Sequence, residues 1–273
     1  MSDMAEVGWS TGVRTSGSPI LSVRGVSLGF GGISALTDVS FDLPKGAITG
    51  LIGPNGAGKT SLFNCVTGFY KPSAGEISLD GTSLVERRPD EIASLGITRT
   101  FQNLGLVEGL SVLENLLLGG YHRGRGGVVE TILGLPRPRR EERALHDEAR
   151  ELLHMLELEP FADQLAKGLP FGTMKRIELA KALMAQGRVL LLDEPANGLI
   201  HGEVVAFGEL IQRIVRERDL SVLLVEHHMG LVMSTCSSVV VLDHGQVIAV
   251  GSPDEVQNNP AVIEAYLGAG ARR

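Results

Sequence analysis

The sequence predicts an α/β fold, a doubly wound and mainly parallel sheet with an antiparallel β layer and an inserted helical subdomain. Three observations predict it. The second half alternates short apolar runs with helical stretches: strand 189–193, helix 203–218, strand 221–226, helix 229–235, strand 238–243. Such alternation packs as parallel strands joined by crossover helices. Near the start, Leu21, Val23, Val26, Leu28 and Phe30, then Leu36, Val39 and Phe41, recur with a period of two, which suits an antiparallel layer of two strands turning at Gly31-Gly32. Between the two regions, residues 111–187 carry helical apolar spacing, broken by a Gly/Pro/Arg-rich stretch at 123–140.

The elements follow in order. Residues 1–19 are rich in Ser, Gly and Thr and hold no apolar stretch between a basic start and a cleavage site; they read as a flexible tail and not as a signal peptide. Residues 47–52 form an apolar strand, a glycine-rich turn follows, and 59–68 take helical spacing through Leu62, Phe63 and Val66. Residues 76–80 read as a strand ending at the turn Gly81. After the alternating half, His244-Gly245 turns the chain into a strand at 246–250, and 253–258 and 260–267 close it as short helices. The expected organisation is one domain over 20–267, with its helical subdomain at about 104–187, and a C-terminal tail at 268–273.

Composition narrows the function. A chain of 273 residues, 43% of them hydrophobic, buries one large core without staples. Its two cysteines, Cys65 and Cys236, sit outside any CxxC pair, so neither a disulfide framework nor a zinc site is implied. A net charge of −7 disfavours nucleic acid as a partner, because binding phosphate backbones takes many Lys and Arg. Arg137, Arg139, Arg140 and Arg143 are interrupted by Glu141 and Glu142, the pattern of a solvated helix face. The apolar runs 189–192, 222–225 and 239–242 fall far short of the roughly 20 residues that cross a bilayer and suit buried parallel strands.

The motif with chemistry in it is Gly53-Pro54-Asn55-Gly56-Ala57-Gly58-Lys59-Thr60-Ser61. It fits G-x-x-x-x-G-K-[ST] and lies between an expected strand and an expected helix, the context of a P-loop NTPase. Its glycines let successive N–H groups turn toward a phosphate, and the following helix adds the positive end of its dipole. Lys59 is expected to neutralise the terminal phosphates of ATP, and the hydroxyl of Thr60, or of its neighbour Ser61, to ligate Mg²⁺. The second motif is the buried strand that ends in Asp193-Glu194-Pro195. Successive strand residues point to opposite sides, so the two carboxylates need a bend to share one site. Asp193 is then expected to hold Mg²⁺ through water and Glu194 to act as general base on the attacking water.

With these motifs the chain resembles the ATP-binding cassette family over about residues 20–267, as the ATP-binding subunit of a transporter. The resemblance implies that Phe30 stacks on adenine, that Gln102 in Arg99-Thr100-Phe101-Gln102-Asn103 senses Mg²⁺ and the attacking water, and that His227 contacts the γ-phosphate, with His228 at solvent or a dimer face. Leu169-Pro170-Phe171-Gly172-Thr173, leading into a helix at 174–184, stands where the family has LSGGQ. Gly172 and Thr173 would there cap a nucleotide bound by the opposite subunit of a head-to-tail dimer.

Only Leu169 and Gly172 agree with that signature, and Ile200 and His201 replace the usual Asp and Pro of the next loop. The composite site that uses this chain's signature is therefore expected to hydrolyse slowly, or to pair best with a second, different cassette. Thr100 to Asn103, Pro170-Phe171-Gly172, Ile177-Glu178-Leu179-Ala180, Val225-Glu226-His227 and the tail from Asn258 to Leu267 are similar to the ATP-binding subunits of branched-chain amino acid importers. That implies transmembrane permease subunits, a second cassette as homodimer or heterodimer, an indirectly coupled solute-binding protein, and a peripheral place on the cytoplasmic face of the membrane. Urea or amide import, lipid export and a non-transport ATPase of the same family are the alternatives.

Overall fold

The computed structural model describes residues 18–100, 105–121 and 136–270, leaving out the side chains of 136–139 and 267–270. In chain order its elements are β1 (Leu21–Phe30), β2 (Ile33–Leu43), β3 (Ile48–Ile52), α1 (Lys59–Val66), β4 (Ala74–Leu79), β5 (Thr82–Ser83), α2 (Pro89–Leu95), β6 (Ile97–Arg99) and α3 (Val112–Gly120). Then come α4 (Pro136–Met155), a 3₁₀ turn (Glu159–Phe161), α5 (Phe171–Leu183), β7 (Val189–Asp193), α6 (His201–Arg218), β8 (Ser221–Val225), α7 (Met229–Thr235), β9 (Ser238–Asp243), β10 (Gln246–Gly251), α8 (Pro253–Gln257) and α9 (Pro260–Gly270).

Two sheets form, as the two periodicities require. The antiparallel sheet has the order β2-β1-β4-β5, and the larger one runs β10-β9-β3-β8-β7-β6. In the larger sheet β9, β3, β8, β7 and β6 are parallel and β10 pairs antiparallel with β9. The hairpins turn through Gly31-Gly32, Asp80-Gly81 and His244-Gly245, each with positive φ at both residues, the geometry that type I′ turns need.

The central strands are buried on both faces, so their residues sort alternately into two cores. Ile48, Ile52, Leu190, Leu192, Val222 and Leu224 join Phe207 and Ile211 of α6 on one side. Leu51, Leu191, Leu223 and Val225 join α1 and the β1–β2 layer on the other. Among the described residues the inserted helices form no separate core: Leu116, Leu152, Leu156, Ile177 and Ala180 belong to the α6-side cluster. A displacement of these helices is therefore felt along one face of the sheet.

Some boundaries differ from the expectations. Helix α5 starts at Phe171 and not at 174, so the motif from Phe171 to Thr173 is its first turn. Pro170 at the N-cap ends the preceding loop, and the fixed φ of proline suits that position. Helix α4 starts at Pro136, inside the stretch expected to be irregular, because proline is tolerated in a first turn whose N–H groups lack helical acceptors. Residues 84–99 carried no expectation, yet they contain α2 and β6, the edge strand beside β7; three residues are too few for a period to show. Cys65 and Cys236 are buried free thiols, pushed up by desolvation to about 11 and about 12. The turn 31–32, and the 229–235 and 238–243 elements, stand where expected.

Candidate functional site

Parallel strands present their carboxyl ends at one edge of a sheet, and β3, β8 and β7, adjacent in that order, bring three functional loops together there. The loop after β3 closes on itself. Ala57 N donates to Pro54 O at 3.2 Å and Gly245 N to Ala57 O at 3.0 Å, which ties the loop to the β9–β10 hairpin. Gly58, the N-cap of α1, has φ 103°, and a Cβ there would lie 2.8 Å from Ala35 O; only glycine fits, and the loop packs directly on the start of β2. The N–H groups of Asn55, Gly56, Gly58, Lys59, Thr60 and Ser61 have no protein acceptor among the described residues. Open donors at a helix N-terminus that lacks a side-chain cap form a concavity for an anion.

Lys59 lies across this loop, 7% exposed, and its Nζ donates to Gly53 O at 2.7 Å and Pro54 O at 2.9 Å. Burial lowers its pKa, while the charges of Glu194 and Asp193 pull it back up. The lysine and both carboxylates thus share one electrostatic environment.

The bend that the two carboxylates require is present: Glu194 has φ 50°, a left-handed conformation uncommon in a non-glycine residue. Past the end of β7, Glu194 N donates to Val225 O at 2.9 Å, and Glu194 Oε1 meets His227 Nε2 at 2.8 Å. An ionised carboxylate only accepts, so this contact places the ring proton on Nε2. Asp193 is buried, with Oδ2 accepting from Arg99 Nη2 at 2.8 Å and Oδ1 without a partner among the described residues.

Glu226 holds two of the loops in register. Buried at 3% exposure, it accepts from Ala196 N through Oε1 at 2.8 Å, and from His227 N and His228 N through Oε2 at 3.0 and 3.2 Å. One carboxylate therefore links the Glu194 loop to the His227 loop. His228 is exposed and is the N-cap of α7.

The structure brings together Gly53 to Ser61, Asp193, Glu194 and His227. Phe30 stands at the end of β1, next to the β2 segment that touches Gly58; its ring is 48% exposed and meets Tyr70 edge-on, centroids 5.2 Å apart. Gly172 and Thr173 lie elsewhere, with no hydrogen bond to the phosphate loop among the described residues. A Cβ on Gly172 would sit 2.7 Å from Glu203 Oε1, and one on Gly198 would sit 2.7 Å from the Phe171 ring. Thr173 is buried, and no side chain caps the N–H groups of this first turn among the described residues. Gln102 lies outside the described residues.

Sequence reasoning gave no role to Arg99, Asn64, Tyr70, Glu226 or Tyr266. Only Glu226 had a readable signal, a charged residue at the end of an apolar strand. Tyr266 of α9 had none: burial pushes its phenol up to about 12, opposed by a hydrogen bond from the Gly53 backbone, so the C-terminal helix touches the phosphate loop.

Known proteins resemble this chain over most of its length. The sequence profile of the family described as "ABC transporter" matches residues 36–197, and that of "Branched-chain amino acid ATP-binding cassette transporter" matches 246–272. The high-affinity branched-chain amino acid transport ATP-binding protein LivG of Salmonella typhimurium is 40% identical over 250 residues, 92% of this chain and 98% of that protein. The corresponding BraF of Pseudomonas aeruginosa is 40% identical over the same shares. Among solved structures, the ADP conformation of MJ1267, an ATP-binding cassette of an ABC transporter, superposes with a TM-score of 0.81 at 31% identity, covering 92% of this chain and all of that one. The dimeric post-hydrolysis state of the cassette MJ0796, bound to ADP and Pi, gives 0.70 at 25% identity over 85% of this chain and 98% of that one.

Proposed function

The chain belongs to the ABC transporter family as an ATP-binding, ATP-hydrolysing subunit, and from that premise we propose that it drives an importer of branched-chain amino acids. The motor reading is carried by Lys59 inside a loop of open N–H donors, faced by Asp193, Glu194 and His227. The cargo reading is carried by the match of residues 246–272 together with the full-length likeness to LivG and BraF. No helix among the described residues is long and apolar enough to cross a membrane; in our reading the chain sits on the cytoplasmic face against permease subunits, served by a solute-binding protein. One cassette over 20–267 with a helical part at 104–187 completes the reading.

The loop Gly53, Pro54, Asn55, Gly56, Ala57 and Gly58 would wrap the β-phosphate, with the open N–H groups of Asn55, Gly56 and Gly58 as its donors, while Lys59 neutralises the γ-phosphate. Phe30 would stack on adenine, its ring steadied by Tyr70. Glu194 would take the proton of the attacking water as its oxygen bonds to phosphorus and the bond to the bridging oxygen of ADP breaks. His227 would hold that carboxylate and contact the γ-phosphate. A divalent cation fits the donor set, since Asp193 Oδ1 is a buried acceptor without a partner among the described residues; Thr60 or Ser61, Asp193 and Gln102 would hold Mg²⁺. When bound, Mg²⁺ supplies charge neutralisation at the phosphates.

In a head-to-tail pair, Gly172 and the first turn of α5, Thr173 included, would cap the nucleotide of the other cassette. Ile200, 72% exposed and with a side chain that cannot hydrogen-bond, would face the partner. Paired with a different cassette, the two composite sites are then expected to turn over unequally, the slower being the one built with this chain's signature. Single-turnover hydrolysis in the assembled pair reads this, and two equal rates would contradict it.

Glu226→Gln puts an amide where three backbone N–H groups need acceptors. It is expected to lower ATP turnover by about 10²-fold, the scale of a misplaced reacting group, with ATP affinity little changed. Steady-state kinetics beside equilibrium ATP binding check this; turnover at the wild-type rate would show that Glu226 does not position the site.

The importer reading is tested by purifying the tagged chain from gently solubilised membranes. Polytopic permeases and a second cassette are expected with it. Recovery of soluble partners alone would leave the ATPase standing and remove transport.

A further inference from the structure

Arg99, at the end of β6, is 12% exposed and is tied to two other elements of the site. Its Nη2 donates to Asp193 Oδ2 at 2.8 Å and its Nη1 to Asn64 Oδ1 of α1 at 2.7 Å. Its guanidinium lies 5.4 Å from the centroid of the Phe63 ring. The planar fork of arginine suits this combination of carboxylate, amide and ring face, which a lysine could not reproduce. Its Nε is buried without a partner among the described residues, so the group is seated by Asp193, Asn64 and Phe63 and not by the largest number of hydrogen bonds.

Asp193 needs such a counter-charge. Its side chain is 1% exposed, and a buried carboxylate with no cation beside it is strongly disfavoured. Arg99 occupies one oxygen and leaves the other, Oδ1, buried and open. We propose that Arg99 is a positioning residue for the metal-side carboxylate, fixing Asp193 so that Oδ1 alone faces a hydrated divalent cation. Because Asn64 belongs to the helix that follows the phosphate loop, the same guanidinium sets the distance between the carboxylate and the phosphate site. This deepens the ATPase reading and rests on Asp193 being the metal-side group.

The test uses the purified full chain and a fluorescent ADP analogue, which is bound but not hydrolysed. The readout is the ratio of its dissociation constants in EDTA and in Mg²⁺, the tightening that the metal confers. Arg99→Met is expected to lose about tenfold of that tightening, the scale on which residues orienting a metal ligand act, with binding in EDTA unchanged. Arg99→Lys, which keeps the charge but not the fork, and Asn64→Ala, which removes one anchor, are each expected to lose about threefold by the same logic.

Equal or stronger tightening in Arg99→Met would overturn the proposal, as would an equal loss of binding in EDTA and in Mg²⁺. Should Arg99→Met fail to give a cooperative melt, Asn64→Ala decides: wild-type tightening there overturns it. Asp193→Asn separates the two levels. If it leaves the metal effect intact, the metal-side reading of Asp193 fails; if it abolishes the effect while Arg99→Met does not, only the role of Arg99 fails.

Discussion

Glu194→Gln is expected to keep ATP bound and to lose about 10²–10³-fold of turnover, the range for removing a general base. The amide is isosteric and its oxygen can still accept from His227 Nε2, so the 2.8 Å contact and the left-handed turn at φ 50° are retained. What is lost is the capacity to take a proton. Keeping residue 194 at φ > 0 carries a backbone cost of about 1–3 kcal/mol, offset by the Glu194 N to Val225 O bond and by the loop that Glu226 holds. Rapid-quench hydrolysis beside equilibrium ATP binding checks this. A chemical step within a few-fold of wild type would remove Glu194 from the role and turn attention to His227.

Lys59→Ala is expected to weaken ATP binding by roughly 10²-fold or more, because it deletes a charge-assisted contact to phosphate worth about 1.5–3 kcal/mol together with an internal brace of the loop. Lys59 Nζ spans Gly53 O and Pro54 O; without it Gly53 O loses this donor, Pro54 O keeps only the one from Ala57 N, and the loop is less firmly closed. The two effects act in one direction. The variant should melt within a few degrees of wild type in the absence of nucleotide, since the strand and helix flanking the loop are held by the two cores. Calorimetric titration with ATP reads the affinity. Undiminished binding would mean that the open N–H donors hold the nucleotide without the lysine.

Much of this was legible in the residues. The doubly wound sheet followed from apolar runs of four residues alternating with helical stretches, and the antiparallel layer from period-two alternation. The phosphate loop is local in sequence and constrained by its own backbone, so it could be read directly. The need for a bend between Asp193 and Glu194 followed from strand geometry alone. What could not be read depends on which strands are neighbours. Arg99 and Asp193 lie far apart in the chain and meet only because β6 pairs with β7. Glu226 reaches Ala196 only because β7 pairs with β8. Tyr266 reaches Gly53 from the last helix, and no local pattern announces that. The start of α5 at Phe171 was missed because glycine and threonine read as loop, whereas the packing of Phe171 against Gly198 favours an earlier first turn.

The chain's place in a transporter is tested most directly by reconstituting the co-purified complex in liposomes, with ATP on the cassette side, and following labelled leucine. Leucine should accumulate on the cassette side in proportion to ATP hydrolysed, and both should stop in the Glu194→Gln complex. A complex that hydrolyses ATP steadily while leucine neither moves nor alters the rate would contradict amino-acid import and leave only the ATPase.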